Sequence, residues 1–252
     1  MYLRMELKLF PLKTIAIIPA RGGSKGLQDK NIKRLHDHPL IAYPIALALK
    51  SQKIDKVILS TDNEKYASIG REYGAKVPFI RPSNLSNDKS TTEETLQYSL
   101  LKTEEIYKEK YDICIFLTAT DVFRQLSDLE ECIKSLEENK NLESCFMGQK
   151  TTKNFWQIKD SNNYERLLPW MRDYSSRQIR KCIYREDTGR SCASRSSLWR
   201  EGRRIGDNIK IIPTDNTIYD IDIHNSLDFY IAEKIIDFLR DNDPSQLPEI
   251  LK

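Results

Sequence analysis

The sequence predicts an α/β fold: a doubly wound, mostly parallel sheet with helices on both faces and a small excursion from the sheet. Apolar runs rich in Ile and Val alternate with helical patterns through the first half of the chain, which is the order of stacked βαβ units. The run DICIFLT, residues 112–118, is apolar almost throughout, as expected for a central strand buried on both faces.

Three shorter apolar runs predict further strands, at residues 14–19, 56–62 and 77–80. Helical patterns follow the first two runs, at about residues 40–50 and 64–73. Pro44 is compatible with the first of these helices only in its first turn, where its missing N–H has no partner to lose. Gly74 closes the second helix.

Two capping boxes predict the next helices, because a Ser and a Glu three residues later satisfy the first N–H groups of a helix. The two pairs are Ser90 with Glu93 and Ser127 with Glu130. Three leucines of the first of these helices are predicted to face the core: Leu96, Leu100 and Leu101.

From about residue 150 the sequence becomes polar, aromatic and weakly periodic, which predicts a small lobe at residues 150–182. Strand character returns at residues 209–213 and 217–223, and an amphipathic helix follows at about 225–239. The predicted main domain therefore comprises residues 14–149 and 183–252, after an N-terminal extension at residues 1–13.

Charge and hydropathy limit the possible partners. The chain has 40 basic and 37 acidic residues, a net charge of +3, which is too small for a protein that coats nucleic acid. No window approaches the length of a membrane span, and the N-terminus lacks the apolar run of a signal peptide. We therefore expect a cytoplasmic protein with no nucleic-acid or membrane partner.

The five cysteines are an odd number without C-x-x-C spacing. Several of them lie in apolar runs. They are predicted to be free core thiols in a reducing compartment, not a disulfide framework or a zinc site.

The stretch IAIIPARGGSKGLQDKN, residues 15–31, places glycines and basic residues directly after the first strand, where α/β sheets bind ligands. Its glycines allow backbone N–H groups to turn toward a phosphate, and Arg21, Lys25 and Lys30 add charge-assisted donors. The combination of glycines and basic residues suits a triphosphate. It matches neither the ATPase motif G-x-x-x-x-G-K-[ST] nor the dinucleotide-binding motif G-x-G-x-x-G. A flexible surface loop is the alternative, because such loops are also rich in Gly, Lys and Ser.

Asp220 and Asp222 in the sequence YDIDI are a second group of candidate functional residues. Residues two apart on a strand share a face, so their carboxylates would lie roughly 7 Å apart. At an effective dielectric of 20 they would repel by about 2 kcal/mol, which a Mg²⁺ held by carboxylates, waters and phosphates would remove. A solvated strand face is the alternative.

Together these motifs resemble the acylneuraminate cytidylyltransferase family, the CMP-sialic acid synthetases and their relatives for legionaminic and pseudaminic acids. The resemblance rests on IIPARGGSKG followed by KN, on VILSTD, on RP-x-x-L at residues 81–85 and on YDIDI. It covers most of the chain in the right order. It implies a Rossmann-like nucleotidyltransferase fold and transfer of CMP from CTP to the anomeric hydroxyl of a nonulosonic acid, with release of pyrophosphate.

The resemblance also implies roles for individual residues, with Arg21, Lys25 and Asp222 as the catalytic ones. Asp220 and Asp222 match the Mg²⁺ carboxylates of the family, while Arg81 and Ser90 match its cytidine-binding region. The residues expected to bind the CTP phosphates are Arg21, Gly22, Gly23, Ser24, Lys25, Lys30 and Asn31. Those expected on the sugar side are Thr118, Thr120, Arg124, Arg177 and Gln178. A homodimer that exchanges residues 150–182, serving lipopolysaccharide or capsule biosynthesis, is implied as well.

The chain departs from the family pattern in two segments. Where most members read LQPTSPLR, this chain has FLTATDVFR, with Thr118 in place of Gln and Asp121 in place of Ser, while Thr120 and Arg124 persist. Asp121 would repel a sugar carboxylate unless it is paired with a base such as Arg124. The alternative is that such substitutions are neutral changes in loops that contact no ligand.

The second departure is YREDTGRSCASR, residues 184–195, where the family pattern is y-x-e-N-G-x-i-Y. Residues 187–189 lengthen that turn, and Arg190 and Arg195 bring charge into it. Two rival functions therefore stay open: the same chemistry on another keto-deoxy acid, such as an eight-carbon one, and a non-catalytic homologue that binds CTP or a sugar.

Overall fold

A seven-stranded sheet forms the centre of the structure, a computed structural model that describes residues 11–23, 26–176 and 178–252. The strands in the described residues are β1 (Thr14–Pro19), β2 (Arg34–Leu35), β3 (His38–Pro39), β4 (Lys56–Ser60), β5 (Ile113–Phe116), β6 (Ser144–Thr151), β7 (Trp156–Asp160), β8 (Asn163–Arg166), β9 (Ile183–Glu186), β10 (Cys192–Arg195) and β11 (Ile209–Thr214). The α-helices are α1 (Ala42–Lys50), α2 (Glu64–Glu72), α3 (Thr92–Tyr107), α4 (Leu126–Glu138), α5 (Ser196–Arg200) and α6 (Ser226–Asn242).

The central sheet has the order β11-β6-β10-β5-β1-β4, and β9 also pairs with β6. Parallel pairing joins β4, β1 and β5 on one side and β6 and β11 on the other. Strands β9 and β10 run antiparallel to these five. The sheet is therefore mostly parallel, as the sequence predicts, and β5 lies in its interior.

Helices cover both faces of this sheet. Ala16 and Ile18 of β1 belong to a core that also contains side chains of α1, α4 and α6. The alternate residues Ile15 and Ile17 belong to a second core with side chains of α3 and α5. All four side chains are fully buried, and each isoleucine contributes roughly 1.5–3 kcal/mol of burial free energy. The doubly wound fold is confirmed.

Helix α1 begins at Ala42, so Pro44 lies in its first turn as predicted. Gly74 follows α2 with a φ of +94°, a left-handed conformation that favours glycine. The predicted third strand at residues 77–80 is wrong, because only a single bridge forms, between Ile58 and Lys76. Pro78 has no backbone N–H to continue a ladder.

The capping predictions were only partly right. Helix α3 has a capping box one residue later than expected, formed by Thr91 and Glu94. Ser90 is engaged in the preceding loop, where its hydroxyl donates to the carbonyl oxygen of Asn84. Leu96 and Leu100 are buried, but Leu101 is 42% exposed, so its predicted inward orientation is wrong.

Helix α4 is preceded by Gln125, whose side chain makes no capping hydrogen bond, so the predicted box of Ser127 and Glu130 is wrong. Glu130 instead accepts a hydrogen bond from the Ser51 hydroxyl at the end of α1. A tertiary partner thus replaces the local one, which a local sequence pattern does not reveal.

The strand predicted at residues 217–223 is also wrong. A 3₁₀ helix forms at Thr217–Asp220, started by Asn216, whose side-chain oxygen accepts a hydrogen bond from the N–H of Ile218. Asp220 and Asp222 therefore do not share a strand face.

The excursion from the central sheet begins after Thr151, the last residue of β6, and contains the hairpin of β7 and β8 and a 3₁₀ helix at Pro169–Arg172. The predicted free thiols are confirmed: all five cysteines are unpaired, and only Cys182 is not fully buried. Among the described helices, none combines the length and apolarity needed to cross a membrane.

Glu109 ties together the amino-terminal ends of strands β1 and β4. Its carboxylate accepts hydrogen bonds from Lys56 (2.9 Å), Lys13 (3.0 Å) and the Tyr111 hydroxyl (2.9 Å). These donors lower the pKa of Glu109 to about 2. Because the folded-state pKa lies below the unfolded value of about 4.3, the stabilisation is present above pH 4.3 and is lost as the pH falls toward 2.

We expect Glu109→Gln to lower the melting temperature by a few degrees at pH 7, because the charge-assisted acceptor is lost. The difference from the wild type should shrink between pH 4 and pH 2. Thermal unfolding followed by circular dichroism across this range measures it, with exposed Glu72→Gln as the charge-matched control. Equal melting temperatures at pH 7, or a gap that persists at pH 2, would contradict this role.

Candidate active site

One edge of the sheet gathers most of the predicted site residues. The five parallel strands end there, and the loops after β1, β4, β5 and β11 start there. Strands β9 and β10 run the opposite way, so the turn between them also lies at this edge. Ligands bind at the carboxyl ends of the strands in open α/β sheets.

The loop after β1 is fastened to the start of α2. The N–H of Gly22 donates to the Asp62 carboxylate (2.9 Å), and a Cβ at Gly22 would lie 2.9 Å from the Asn63 amide nitrogen. This close approach requires glycine, whereas a Cβ at Gly23 would meet nothing within 4 Å. Predicted Ser24 and Lys25 lie outside the described residues.

Asn31 and Arg21, two further predicted site residues, lie at the two ends of this loop and contact each other. The side-chain amide of Asn31 donates to the carbonyl oxygen of Arg21 (3.1 Å), and Asn31 is buried. The Arg21 guanidinium is half-buried and forms an ion pair with Asp88 (2.9 Å). Arg21 is therefore positioned by the loop itself and by the segment before α3.

The loop after β1 meets the segment after Asp220, although nearly two hundred residues separate them. The Lys30 ammonium donates to the carbonyl oxygen of Ile223 (2.8 Å). A Cβ at Gly26 would lie 2.7 Å from the carbonyl oxygen of His224. Burial lowers the pKa of Lys30, and the carboxylates of Asp222 and Asp228 oppose that shift.

The two predicted metal carboxylates have different surroundings. Asp220 forms an ion pair with Arg185 (2.9 Å). Oδ2 of Asp222 contacts Nε2 of His224 (2.9 Å), while its Oδ1 is buried without a hydrogen-bond partner. A buried oxygen without a partner is costly unless a cation or donor satisfies it.

Asp222 therefore fits a Mg²⁺ ligand, whereas Asp220 fits one only if it leaves Arg185. The described residues contain no group of three or more His, Cys, Asp or Glu that could hold a metal ion. This is compatible with Mg²⁺ sites at phosphates, where one or two carboxylates share the ion with waters and substrate oxygens.

A cavity of about 720 Å³ lies beside Asp222 and continues to the departing segments 118–124 and 187–189. Thr118, Asp121, Arg185 and Asp187 are among its lining residues. Thr120 is connected to the same region, because its carbonyl oxygen accepts a hydrogen bond from the N–H of Ile223 (3.2 Å). The Thr118–Arg124 segment and the metal segment are thus in direct contact.

Arg124 lies behind this cavity and is only 3% exposed. Its guanidinium donates to the carbonyl oxygens of Thr118 (2.6 Å), Gly189 (2.6 Å) and Arg190 (2.5 Å). The predicted pairing with Asp121 exists at 3.9 Å. Charge-assisted hydrogen bonds of this kind are worth roughly 1.5–3 kcal/mol each, so Arg124 holds the two departing segments together.

The two arginines of the second departure do not line the cavity. Arg190 is buried, forms an ion pair with Asp128 (3.1 Å) and stacks on the Tyr219 ring (3.5 Å to the centroid). Arg195 donates to the carbonyl oxygens of Leu136 and Asn139, at the end of α4. The expectation that both bring charge into the turn is wrong, because packing on the ring and on the helix end binds them elsewhere.

Arg81 lies near the carboxyl end of β4 and is buried. It donates to the carbonyl oxygen of Ser60 (3.2 Å) and to the Ser86 hydroxyl (2.9 Å). Burial lowers its pKa, and Asp62 opposes that shift. Ser90 lies in the loop before α3 and is joined to Asn87 and Asn84.

Gln178 is not brought to the loop after β1. It lines a second cavity of about 1110 Å³ between residues 150–155, the β9 region and residues 215–220. Arg185 and Asp220 line both cavities. Arg177 lies outside the described residues.

Sequence reasoning missed Arg185. Its guanidinium bonds Asp187 (2.8 Å) and reaches Asp220 (2.9 Å), so it links the lengthened turn to the metal segment. It lies within the departing segment at residues 184–195, which marks the region but gives no signal for the contact with Asp220. His224 is exposed, and its contact with Asp222 gives it a place at the site.

A family model described as cytidylyltransferase matches residues 15–241. An N-acylneuraminate cytidylyltransferase of Escherichia coli O18:K1:H7 is 36% identical over 163 residues, which are 65% of this chain and 38% of that relative. The post-translational flagellin modification protein B of Campylobacter coli is 28% identical over 225 residues, 88% of this chain and 94% of that relative. A pseudaminic acid cytidylyltransferase of Campylobacter jejuni is 40% identical over 110 residues, 43% of this chain and 47% of that relative.

Among solved structures, a CMP:2-keto-3-deoxy-manno-octonic acid synthetase complexed with CTP has a similar fold. Its TM-score is 0.67 at 14% identity, covering 90% of this chain and 99% of that one. A 4-diphosphocytidyl-2C-methyl-D-erythritol synthase of Anaerococcus prevotii follows with a TM-score of 0.63, also at 14% identity, covering 90% and 97%. These likenesses show the fold. The match of the family model across most of the chain shows that it belongs to the cytidylyltransferase family, as its motifs predicted.

Proposed function

We propose that this protein transfers CMP from CTP to the anomeric hydroxyl of a sialic-acid-like nonulosonic acid and releases pyrophosphate. The observation that carries the proposal is the contact of Lys30 with Ile223, which brings the basic loop beside Asp222 and its unpartnered buried oxygen. Positive charge for a triphosphate and a carboxylate for its metal ion thus meet beside one cavity.

The chemistry forms one bond and breaks one. The anomeric oxygen attacks the α-phosphorus of CTP, the bond from that phosphorus to the bridging oxygen breaks, and pyrophosphate departs with the electron pair. The hydroxyl proton passes to solvent water as the new ester forms. Catalysis then depends on holding the oxygen in line and on stabilising charge as it develops on the leaving phosphates.

The loop after β1 is suited to the phosphate part of this task. Arg21 and Lys30 supply cationic donors, and the glycine at position 22 keeps the backbone close to α2. A phosphate near Lys30 would favour its charged form against the effect of burial. The cavity beside Asp222, at the carboxyl end of β5, then remains for the acceptor.

Magnesium is the proposed cofactor, with Asp222 as its protein ligand and Asp220 as a second ligand once it leaves Arg185. When bound, the ion would neutralise phosphate charge and polarise the phosphorus–oxygen bonds. Oδ1 of Asp222, which is buried without a hydrogen-bond partner, would take that role, while His224 contacts the other oxygen.

The acceptor class follows from the relatives. Those described as N-acylneuraminate, pseudaminic acid and legionaminic acid enzymes are 36–40% identical to this chain over 42–65% of its length. An eight-carbon acid is the rival acceptor, supported only by a structure at 14% identity. A non-catalytic homologue is disfavoured because a mere binder has little use for an unpartnered buried carboxylate oxygen at Asp222.

A homodimer is part of the proposal, with the 150–182 region as the shared surface. Five large apolar side chains of that region are at least half exposed: Trp156, Ile158, Tyr164, Tyr174 and Ile179. Several exposed large apolar side chains in one region are typical of a protein interface, and a second copy of the chain is the occupant we propose.

The first test is an acceptor panel. Purified protein with CTP, Mg²⁺ and neuraminic, legionaminic or pseudaminic acids should release pyrophosphate, and mass spectrometry should detect the matching CMP-sugar. An eight-carbon keto-deoxy acid serves as the discriminating control. Turnover of that acid alone would show that the proposed acceptor class is wrong. Absence of pyrophosphate release with every acid in the panel would refute the catalytic proposal.

A second test concerns Asp222. We expect Asp222→Asn to raise the Mg²⁺ concentration for half-maximal rate at least tenfold, because a neutral amide is a poorer ligand for a hard cation. Exposed Asp241→Asn is the charge-matched control and should behave as the wild type. Unaltered Mg²⁺ dependence of Asp222→Asn would remove this residue from the metal site.

A third test concerns the dimer. Light scattering after size exclusion should give a dimeric mass for the wild type and a monomeric mass for Ile158→Glu, because burying an unpaired carboxylate costs several kcal/mol. Phe238→Glu, at an equally exposed apolar position on α6, should remain dimeric. A monomeric wild type, or a dimeric Ile158→Glu, would refute the shared surface.

A further inference from the structure

The two segments in which this chain departs from its family pattern are in contact with each other. The N–H of Thr118 donates to the carbonyl oxygen of Gly189 (2.9 Å), and the Thr118 hydroxyl donates to Oδ2 of Asp121 (2.5 Å). Thr118, Asp121 and the 187–189 turn all line the cavity beside Asp222. Two changes far apart in sequence thus form one cluster at the wall of the candidate site, which argues against independent drift.

This cluster fixes the Asp121 carboxylate in one orientation. A Cβ at Gly189 would lie 2.7 Å from Oδ2 of Asp121 and 2.8 Å from the Thr118 methyl group, so the turn packs directly against both side chains. The Asp121 side chain is 15% exposed. None of the described residues donates a hydrogen bond to its Oδ1, which remains the acceptor that Asp121 offers to a ligand.

One guanidinium and two further carboxylates act on the charge of Asp121. Burial raises the pKa of Asp121, Arg124 opposes that shift from 3.9 Å, and the carboxylates of Asp222 and Asp187 add to it. Arg124 is itself committed to three backbone carbonyls. A positively charged donor entering the cavity would therefore be stabilised more at this wall than a neutral one.

An acidic acceptor must also place its own carboxylate. Arg185 and Arg204 line the same cavity, where Arg185 is paired with Asp187 and Asp220, and Arg204 with Glu93 and Glu186. Either guanidinium suits a ligand carboxylate once it leaves one of these partners, whereas the Asp121 wall repels a carboxylate. The lining thus separates into a part that accepts anions and a part that accepts donors. A sugar acid with a cationic substituent matches both parts.

We infer that Asp121 is a specificity-determining residue that accepts a hydrogen bond from a protonated nitrogen substituent of the acceptor. The substrate class is then a sugar acid that carries a free amino or amidino group in addition to its carboxylate. This inference rests on the proposed cytidylyl transfer. Thr118 and Gly189 act as positioning residues that hold the Asp121 carboxylate.

The inference is tested at pH 7 with pairs of nonulosonic acids. The two acids of a pair differ at one nitrogen only, which is a free amine in one acid and N-acetylated in the other. For one position of the nitrogen, the wild type should use the amine with at least tenfold higher kcat/KM. Asp121→Asn, which keeps the shape, and Asp121→Ser, which restores the family residue, should lower this ratio at least tenfold. Exposed Asp241→Asn is the control and should keep the wild-type ratio.

The outcomes are separable. If the wild type uses the acetylated acid equally well or better at every position, the inference is wrong while cytidylyl transfer stands. If both Asp121 variants lower kcat/KM for the two acids alike, Asp121 has only a structural role. If a variant fails to fold, the ratio of the two kcat/KM values of the wild type still tests the inference. If the wild type converts no acid, the proposed cytidylyl transfer is wrong and so is this inference.

Discussion

The contact between the Lys30 ammonium and the carbonyl oxygen of Ile223 is the constraint on which the site depends. It joins the loop after β1 to the segment before α6, and Gly26 allows the same approach at His224. This contact holds the basic loop beside the segment that carries the Asp222 carboxylate. With it, opposite charges lie beside one cavity at the carboxyl edge of the sheet.

The sheet determines why these groups meet there. Strands β1, β4 and β5 are parallel and buried on both faces, so their following loops must emerge at one edge. The antiparallel pair β9 and β10 then delivers the turn at residues 187–189 to the same edge. Arg124 fastens that turn to the loop after β5, which makes the cavity wall a structural unit of two distant segments.

Most of the fold could be predicted from the sequence because buried parallel strands have long apolar runs, and β1 was predicted to the residue. The wrong elements share a cause. Thr217–Asp220 has the apolar alternation of a strand, but the Asn216 cap and the stacking of Arg190 on Tyr219 favour a 3₁₀ helix. Tertiary contacts of this kind leave no local pattern, so the partners of Asp220 and the bridging role of Arg185 could not be predicted.

A crystal structure with a non-hydrolysable CTP analogue and Mn²⁺, located by its anomalous scattering, would test whether the loop and Asp222 form one catalytic site. We predict the ion in contact with Asp222 and the phosphates in contact with Arg21 and Lys30. An ion bound away from Asp222, or phosphates bound in the Gln178 cavity instead of at the loop after β1, would contradict this site.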